Sequence, residues 1–109
     1  MNTLNYVNLK RGKVMNMSEV LQKFVDSTIK MIVDSPENVK TTTTVSTKSV
    51  IVQIKSEQED LGKIIGKKGR TIESLKVLTL AIKNTQFPRD TRRVVLEIIE
   101  DEDSSFLDL

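Results

Sequence analysis

The apolar positions of this chain change their spacing several times, and each change marks an element. From Ser18 to Ser35, Leu21, Phe24, Val25 and Ile32 fall near helical spacing, which predicts a helix with Ser18 as its N-cap. Ser35-Pro36 should end it, because proline disfavours the α region for its predecessor. Val39 to Thr47 is β-branched at most positions, including the run Thr41 to Thr44, and reads as a strand rather than a linker. Ser49 to Ser56 alternates Val50, Val52 and Ile54 against Ile51, Gln53 and Lys55, the pattern of a half-buried strand. Thr47-Lys48-Ser49 joins the two as a hairpin. Asp60 to Ile65 reads as a short helix with Leu61, Ile64 and Ile65 on one side, and Thr71 to Thr85 as a longer one. Phe87-Pro88-Arg89-Asp90 is a loop. In Arg92 to Ile99, Val94, Leu96 and Ile98 alternate against Val95, Glu97 and Ile99, which predicts a third strand. The order is helix, strand, strand, helix, turn, helix, strand. The fold class is α+β.

The long helix carries more apolar residues than one buried face requires. Ile72, Leu75, Leu78 and Ile82 form one stripe toward the sheet, and Val77, Leu80 and Ala81 fall outside it. A second contact surface is therefore expected at Val77, Leu80 and Ala81, with Leu78 at its edge.

Composition narrows the chemistry. A chain of 109 residues suits one small domain. It has no cysteine and no histidine, which removes disulfides, thiolate nucleophiles, the usual zinc sites and imidazole-based triads. No spacing suggests carboxylate or Ser/Lys catalysis, so the reading is non-enzymatic, with no cofactor and no metal. No apolar run approaches a membrane span, and the first seventeen residues lack the apolar core of a secretory signal. The default is a cytoplasmic protein without membrane contact.

The net charge of +2 conceals segregation. Residues 61–96 hold nine basic side chains against Glu73 and Asp90, whereas the last thirteen residues hold six acids and no bases. Residues 1–17 carry Lys10, Arg11 and Lys13 without an acid, and read as a flexible basic extension; 101–109 read as a disordered acidic tail, with the domain between them at 18–100. Placement of charge is what an anion-binding surface requires.

At the centre of the basic third lies Ile64-Ile65-Gly66-Lys67-Lys68-Gly69-Arg70-Thr71-Ile72. Two glycines three apart let a turn approach another backbone closely, because neither carries a Cβ. Lys67 and Lys68 at its tip, flanked by Lys63 and Arg70, make the approaching partner an anion. The isoleucines tie both ends to a core. This pattern reads as a clamp for a sugar–phosphate backbone. Arg89, Arg92 and Arg93 read as a solvated start to the last strand. A helix-turn-helix DNA binder would need an exposed polar reading helix, and Thr71 to Thr85 is too apolar for that.

The aliphatic pair, Gly-x-x-Gly and the aliphatic at Ile72, set between two helices and followed by a strand, resemble a KH domain. The preceding helix and strand make the order similar to the type II KH topology, which implies a three-stranded mixed sheet covered on one face by three helices. Asp60-Leu61-Gly62-Lys63-Ile64-Ile65-Gly66 also resembles the corresponding segment of small bacterial RNA-binding proteins of the KhpA type. The chain departs from them in the sixteen residues before Met17, which leaves Met1 and Met17 both open as the start, and in its acidic tail.

The resemblance implies an RNA-binding site at Gly62, Lys63, Ile65, Gly66, Lys67, Lys68, Gly69, Arg70, Thr71 and Ile72, holding about four unpaired nucleotides. Bases would lie over an aliphatic groove built from Ile65, Ile72 and part of the Ser49 to Ser56 or Arg92 to Ile99 strand, with Gly62 keeping its floor open. Aromatic stacking is not expected, since Tyr6, Phe24, Phe87 and Phe106 all lie outside the motif. The family further implies single-stranded RNA as ligand, a role as post-transcriptional regulator or RNA chaperone, a homodimer, and a heterodimer with a larger KhpB (Jag)-type KH protein. The alternative is a KH-fold dimerisation or adaptor module whose main partner is another KH protein.

Overall fold

The computed structural model describes the backbone of residues 6–8 and all of residues 14–100. Lys10, Arg11, Lys13 and the acidic 101–109 lie outside the described residues. The described elements are β1 (Tyr6–Asn8), β2 (Val14–Asn16), α1 (Met17–Ile32), β3 (Lys40–Val45), β4 (Ser49–Lys55), α2 (Leu61–Ile65), α3 (Arg70–Gln86) and β5 (Arg93–Ile98), with single 3-10 turns at Pro36–Asn38, Gln58–Asp60 and Lys67–Gly69.

α1 starts one residue before its expected cap. Asn16 Oδ1 accepts from the Glu19 amide at 3.0 Å and Glu19 Oε1 accepts from the Asn16 amide at 3.0 Å, a reciprocal capping box. Ser18 sits in the first turn, and its hydroxyl donates to Asn16 Oδ1. Met17, Leu21, Val25 and Ile29 recur every fourth residue and are buried, while Phe24 is half-buried and Ile32 exposed. The helix ends at Ile32, and Pro36 opens the following 3-10 turn, where its missing N–H costs nothing. Upstream, β1 and β2 pair antiparallel, Val7 opposite Met15, within a stretch expected to lack structure; Met15 is buried.

The sheet order is β3-β4-β5, with β3 antiparallel and β5 parallel to the central β4. The parallel pair requires a crossover, and α2 and α3 supply it. Register places Thr41 and Thr43 beside Ile54 and Val52, and Leu96 and Ile98 beside Val52 and Ile54, so all three strands turn these residues to one face. Val50, Val52 and Ile54 are fully buried there against Leu21, Val25, Ile29, Ile64 and Leu75. On the other face Thr42 and Thr44 donate to Gln53 Oε1, and Gln53 Nε2 donates to Glu97 Oε1 at 3.1 Å. The three-stranded mixed sheet and three helices thus agree with the expected KH-type α+β fold.

Two core residues were not expected. Phe87, in the loop after α3, is fully buried. Thr79 is also fully buried, its hydroxyl satisfied by the Leu75 carbonyl at 2.7 Å. It takes the place in the α3 stripe that spacing assigns to Leu78, which is 54% exposed. The loop after Phe87 is closed by Asp90, whose carboxylate accepts from Arg92 Nε at 3.0 Å and Nη2 at 2.6 Å. That hydrogen bonding holds the Asp90 carboxyl below its ordinary value and raises Arg92.

Candidate nucleic-acid interface

Placement of the glycine turn begins with Asp60. Its side chain is 1% exposed, yet both oxygens are used: Oδ1 accepts from the Asp34 amide at 3.0 Å and Oδ2 from the Ser35 amide at 3.1 Å. One carboxylate therefore fastens the segment after α1 to the start of α2. Charge-assisted bonds of this kind contribute about 1.5–3 kcal/mol each.

α2 runs five residues and stops at Gly66, whose amide donates to the Gly62 carbonyl at 2.8 Å. Gly66 has φ +81° and ψ 170°, a region almost closed to L-residues. A Cβ there would lie 2.1 Å from Thr71 Oγ1 and 2.8 Å from the Thr71 amide nitrogen. The turn is folded so tightly onto α3 that only glycine fits. Lys68 (φ 57°, ψ 27°) and Gly69 (φ 72°, ψ 15°) are both left-handed. A Cβ at Gly69 would meet nothing within 4 Å, so glycine is favoured there by its φ alone. Lys68 carries a left-handed backbone with a side chain, at a cost of about 1–2 kcal/mol.

The corner this produces is open. Lys63, Lys67, Lys68 and Arg70 are exposed, and Gly66 and Gly69 are half-buried. Among the described residues Lys67, Lys68 and Arg70 have no carboxylate partner, whereas Lys63 pairs with Asp34 at 3.1 Å. The Gly69 amide donates to the Gly66 carbonyl and the Arg70 amide to the Lys67 carbonyl, but those of Lys67 and Lys68 find no backbone acceptor among the described residues. Two unpaired N–H groups, two lysines and the N-terminus of a seventeen-residue helix thus share one exposed corner, an arrangement suited to an oxyanion.

Behind the turn, Ile72 is half-buried against the core and Ile65 is 40% exposed. Gly62 is exposed, and a Cβ on it would meet nothing within 4 Å. Of the two strands expected to border a groove, Ser49–Lys55 is central and flanked on both sides, while Arg93–Ile98 is an edge beside α3. Between α3 and this edge lies a cleft of about 290 Å³ whose apolar floor includes Leu80, Val94 and Val95 and whose lining includes Lys76 and Arg93. Arg92 is taken up by Asp90, which leaves Arg89 and Arg93 exposed at this end.

The four residues expected at a second contact surface separate. Leu80 belongs to the α3–β5 cleft. Leu78 and Ala81 line a different cleft, between α3 and α1, with Phe24, and Val77 is 60% exposed. Met31 on α1 is 80% exposed. Among the described residues no cluster of three metal-binding side chains occurs, and no helix is long and apolar enough to cross a membrane.

Comparison with known proteins agrees with the KH-type fold. A family model described as KhpA/KhpB, KH domain, matches residues 22–98. A protein of Chlamydia pneumoniae named RNA-binding protein KhpA is 35% identical over 82 residues, covering 75% of this chain and 100% of its own length. Proteins of the same name from Aquifex aeolicus (35% over 80 residues, 73% of this chain and 96% of theirs) and Clostridium perfringens (32% over 79 residues, 72% and 100%) are similar to the same extent. The family match begins inside α1, so β1 and β2 lie outside it.

Proposed function

The chain belongs to the KhpA/KhpB family of KH domains, and from that premise we propose that it is a non-enzymatic protein that holds single-stranded RNA at the Gly66–Gly69 turn. The observation that carries this reading is the exposed corner itself, with a backbone only glycine can adopt at Gly66 and three cations, Lys67, Lys68 and Arg70, that pair with no carboxylate among the described residues. Phosphates meet the amides and ammonium groups of the turn. Bases lie along Ile65 and Ile72 toward the α3–β5 cleft. The KH domain spans 18–100, works in the cytoplasm, and acts as a post-transcriptional regulator or RNA chaperone. Direct titration tests it. With three to four cations on phosphates of a single strand, log K should fall against log[salt] with a slope between about −2 and −3. A slope near zero, or preference for a duplex over a single strand of equal length, would count against the clamp.

A second reading is compatible with the first and rests on the exposed apolar residues of α3. Val77 and Leu78 are 60% and 54% exposed, and Leu78 lines the α1–α3 cleft together with Phe24 and Ala81. Scattered surface apolars are ordinary, but Leu78 and Phe24 bring apolar surface from two neighbouring helices to one cleft. This surface pairs two KH domains, either two copies of this chain or this chain with a KhpB-type partner. Val77→Asp should leave the fold intact, because the side chain has no core contact to lose. For a homodimer, sedimentation should show wild type as a dimer and the variant as a monomer. A monomeric wild type at high concentration excludes self-pairing.

A further inference from the structure

Among the described residues, Lys63 is the basic group beside the turn that already holds an anion. Its Nζ lies 3.1 Å from Asp34 Oδ2, with the side chains 48% and 77% exposed. Chance pairing of two mobile surface groups would carry no meaning, but Asp34 is not on a free loop. Its own amide and that of Ser35 are bound by the buried Asp60 carboxylate at 3.0 and 3.1 Å, and Asp60 immediately precedes α2, on which Lys63 sits. The backbone carrying Asp34 is thus anchored to the helix that carries Lys63, and the acid stays within reach of the lysine.

We infer that Asp34 is an affinity-setting residue of the RNA site, an internal carboxylate that competes with RNA phosphate for Lys63. The inference rests on the RNA reading above and adds a specific restraint to it. The pair is exposed, and exposed ion pairs are weak and screened by salt, so a phosphate can displace the carboxylate at modest cost. The same exposure means that Asp34 lowers affinity without blocking the site.

Asp34→Asn isolates this effect. The variant keeps its backbone N–H, so the bond to Asp60 survives, and only the carboxylate charge is lost. RNA affinity at low salt should rise about threefold, the upper part of the range for one exposed pair. The slope of log K against log[salt] should steepen by at most about 0.7, the full increment for one phosphate contact on a single strand, because Asp34 no longer contests Lys63. In a Lys63→Gln background the same substitution should give no gain. Unchanged or weaker binding by Asp34→Asn, or a gain that persists with Lys63→Gln, overturns the inference. Wild-type affinity in the same titrations reports on the RNA reading itself, so its absence would be a separate failure.

Discussion

Gly66→Ala should destabilise the domain by about 3 kcal/mol or more, placing it among the largest single-residue effects available here. Two costs combine. The backbone at φ +81° and ψ 170° lies where residues with a Cβ are almost never found. The added methyl would also stand 2.1 Å from Thr71 Oγ1, 2.6 Å from Thr71 Cβ and 2.8 Å from its amide nitrogen. The hydroxyl can rotate away, but Cβ and the backbone cannot, so α3 must shift from α2. Thr71→Ala should accordingly rescue only a small part of the loss. Gly69→Ala makes a control in the same turn: a Cβ there would meet no atom beyond its own neighbours within 4 Å among the described residues, and only the left-handed φ is penalised, at about 1–2 kcal/mol. Urea unfolding of the variants checks the ranking. Equal stability of Gly66→Ala and wild type would mean that the turn is not folded as described.

Lys67→Asp combined with Lys68→Asp should reduce RNA affinity about a hundredfold or more while leaving the fold unchanged. Two phosphate contacts are lost and two repulsive charges replace them, at the corner where the backbone comes closest to the ligand. The fold should tolerate the change because both lysines are exposed and neither forms an ion pair among the described residues. Position 68 should even gain slightly, since aspartate accepts a left-handed backbone more readily than lysine. Circular dichroism and urea midpoints establish that the variant is folded, and fluorescence anisotropy with a labelled single strand reads the affinity. A folded variant that binds like wild type removes the turn from the site.

Much of this architecture is legible in the residue pattern because its strongest signals are local. Val50, Val52 and Ile54 alternate with polar or partly exposed neighbours, and that parity sets the buried face of all three strands through register. The turn announces itself because glycine spacing, flanking aliphatics and charge coincide. What was missed depends on distant or self-satisfied partners. Asp60 looks like one more surface acid, and the amides that justify its burial are 25 and 26 residues away. Thr79 can enter the core because its own helix supplies an acceptor, so periodicity based on apolar residues passes to Leu78 instead. Phe87 sits in a stretch whose proline and charges mask its burial. The start of α1 is legible at Asn16 and Glu19, which stand at capping-box spacing, a stronger signal than Ser18 alone. β1 and β2, three residues each, are too short for any period to identify.

The most direct test of the clamp is backbone amide mapping by NMR during titration with a short single-stranded RNA. The largest, saturable shifts should fall on Lys67, Lys68 and Gly69, with smaller ones running through Ile72 and along Arg93–Ile98, and they should vanish in the double aspartate variant. Shifts confined to α1 and β3, with the Gly66–Gly69 amides unmoved at saturation, would contradict the account.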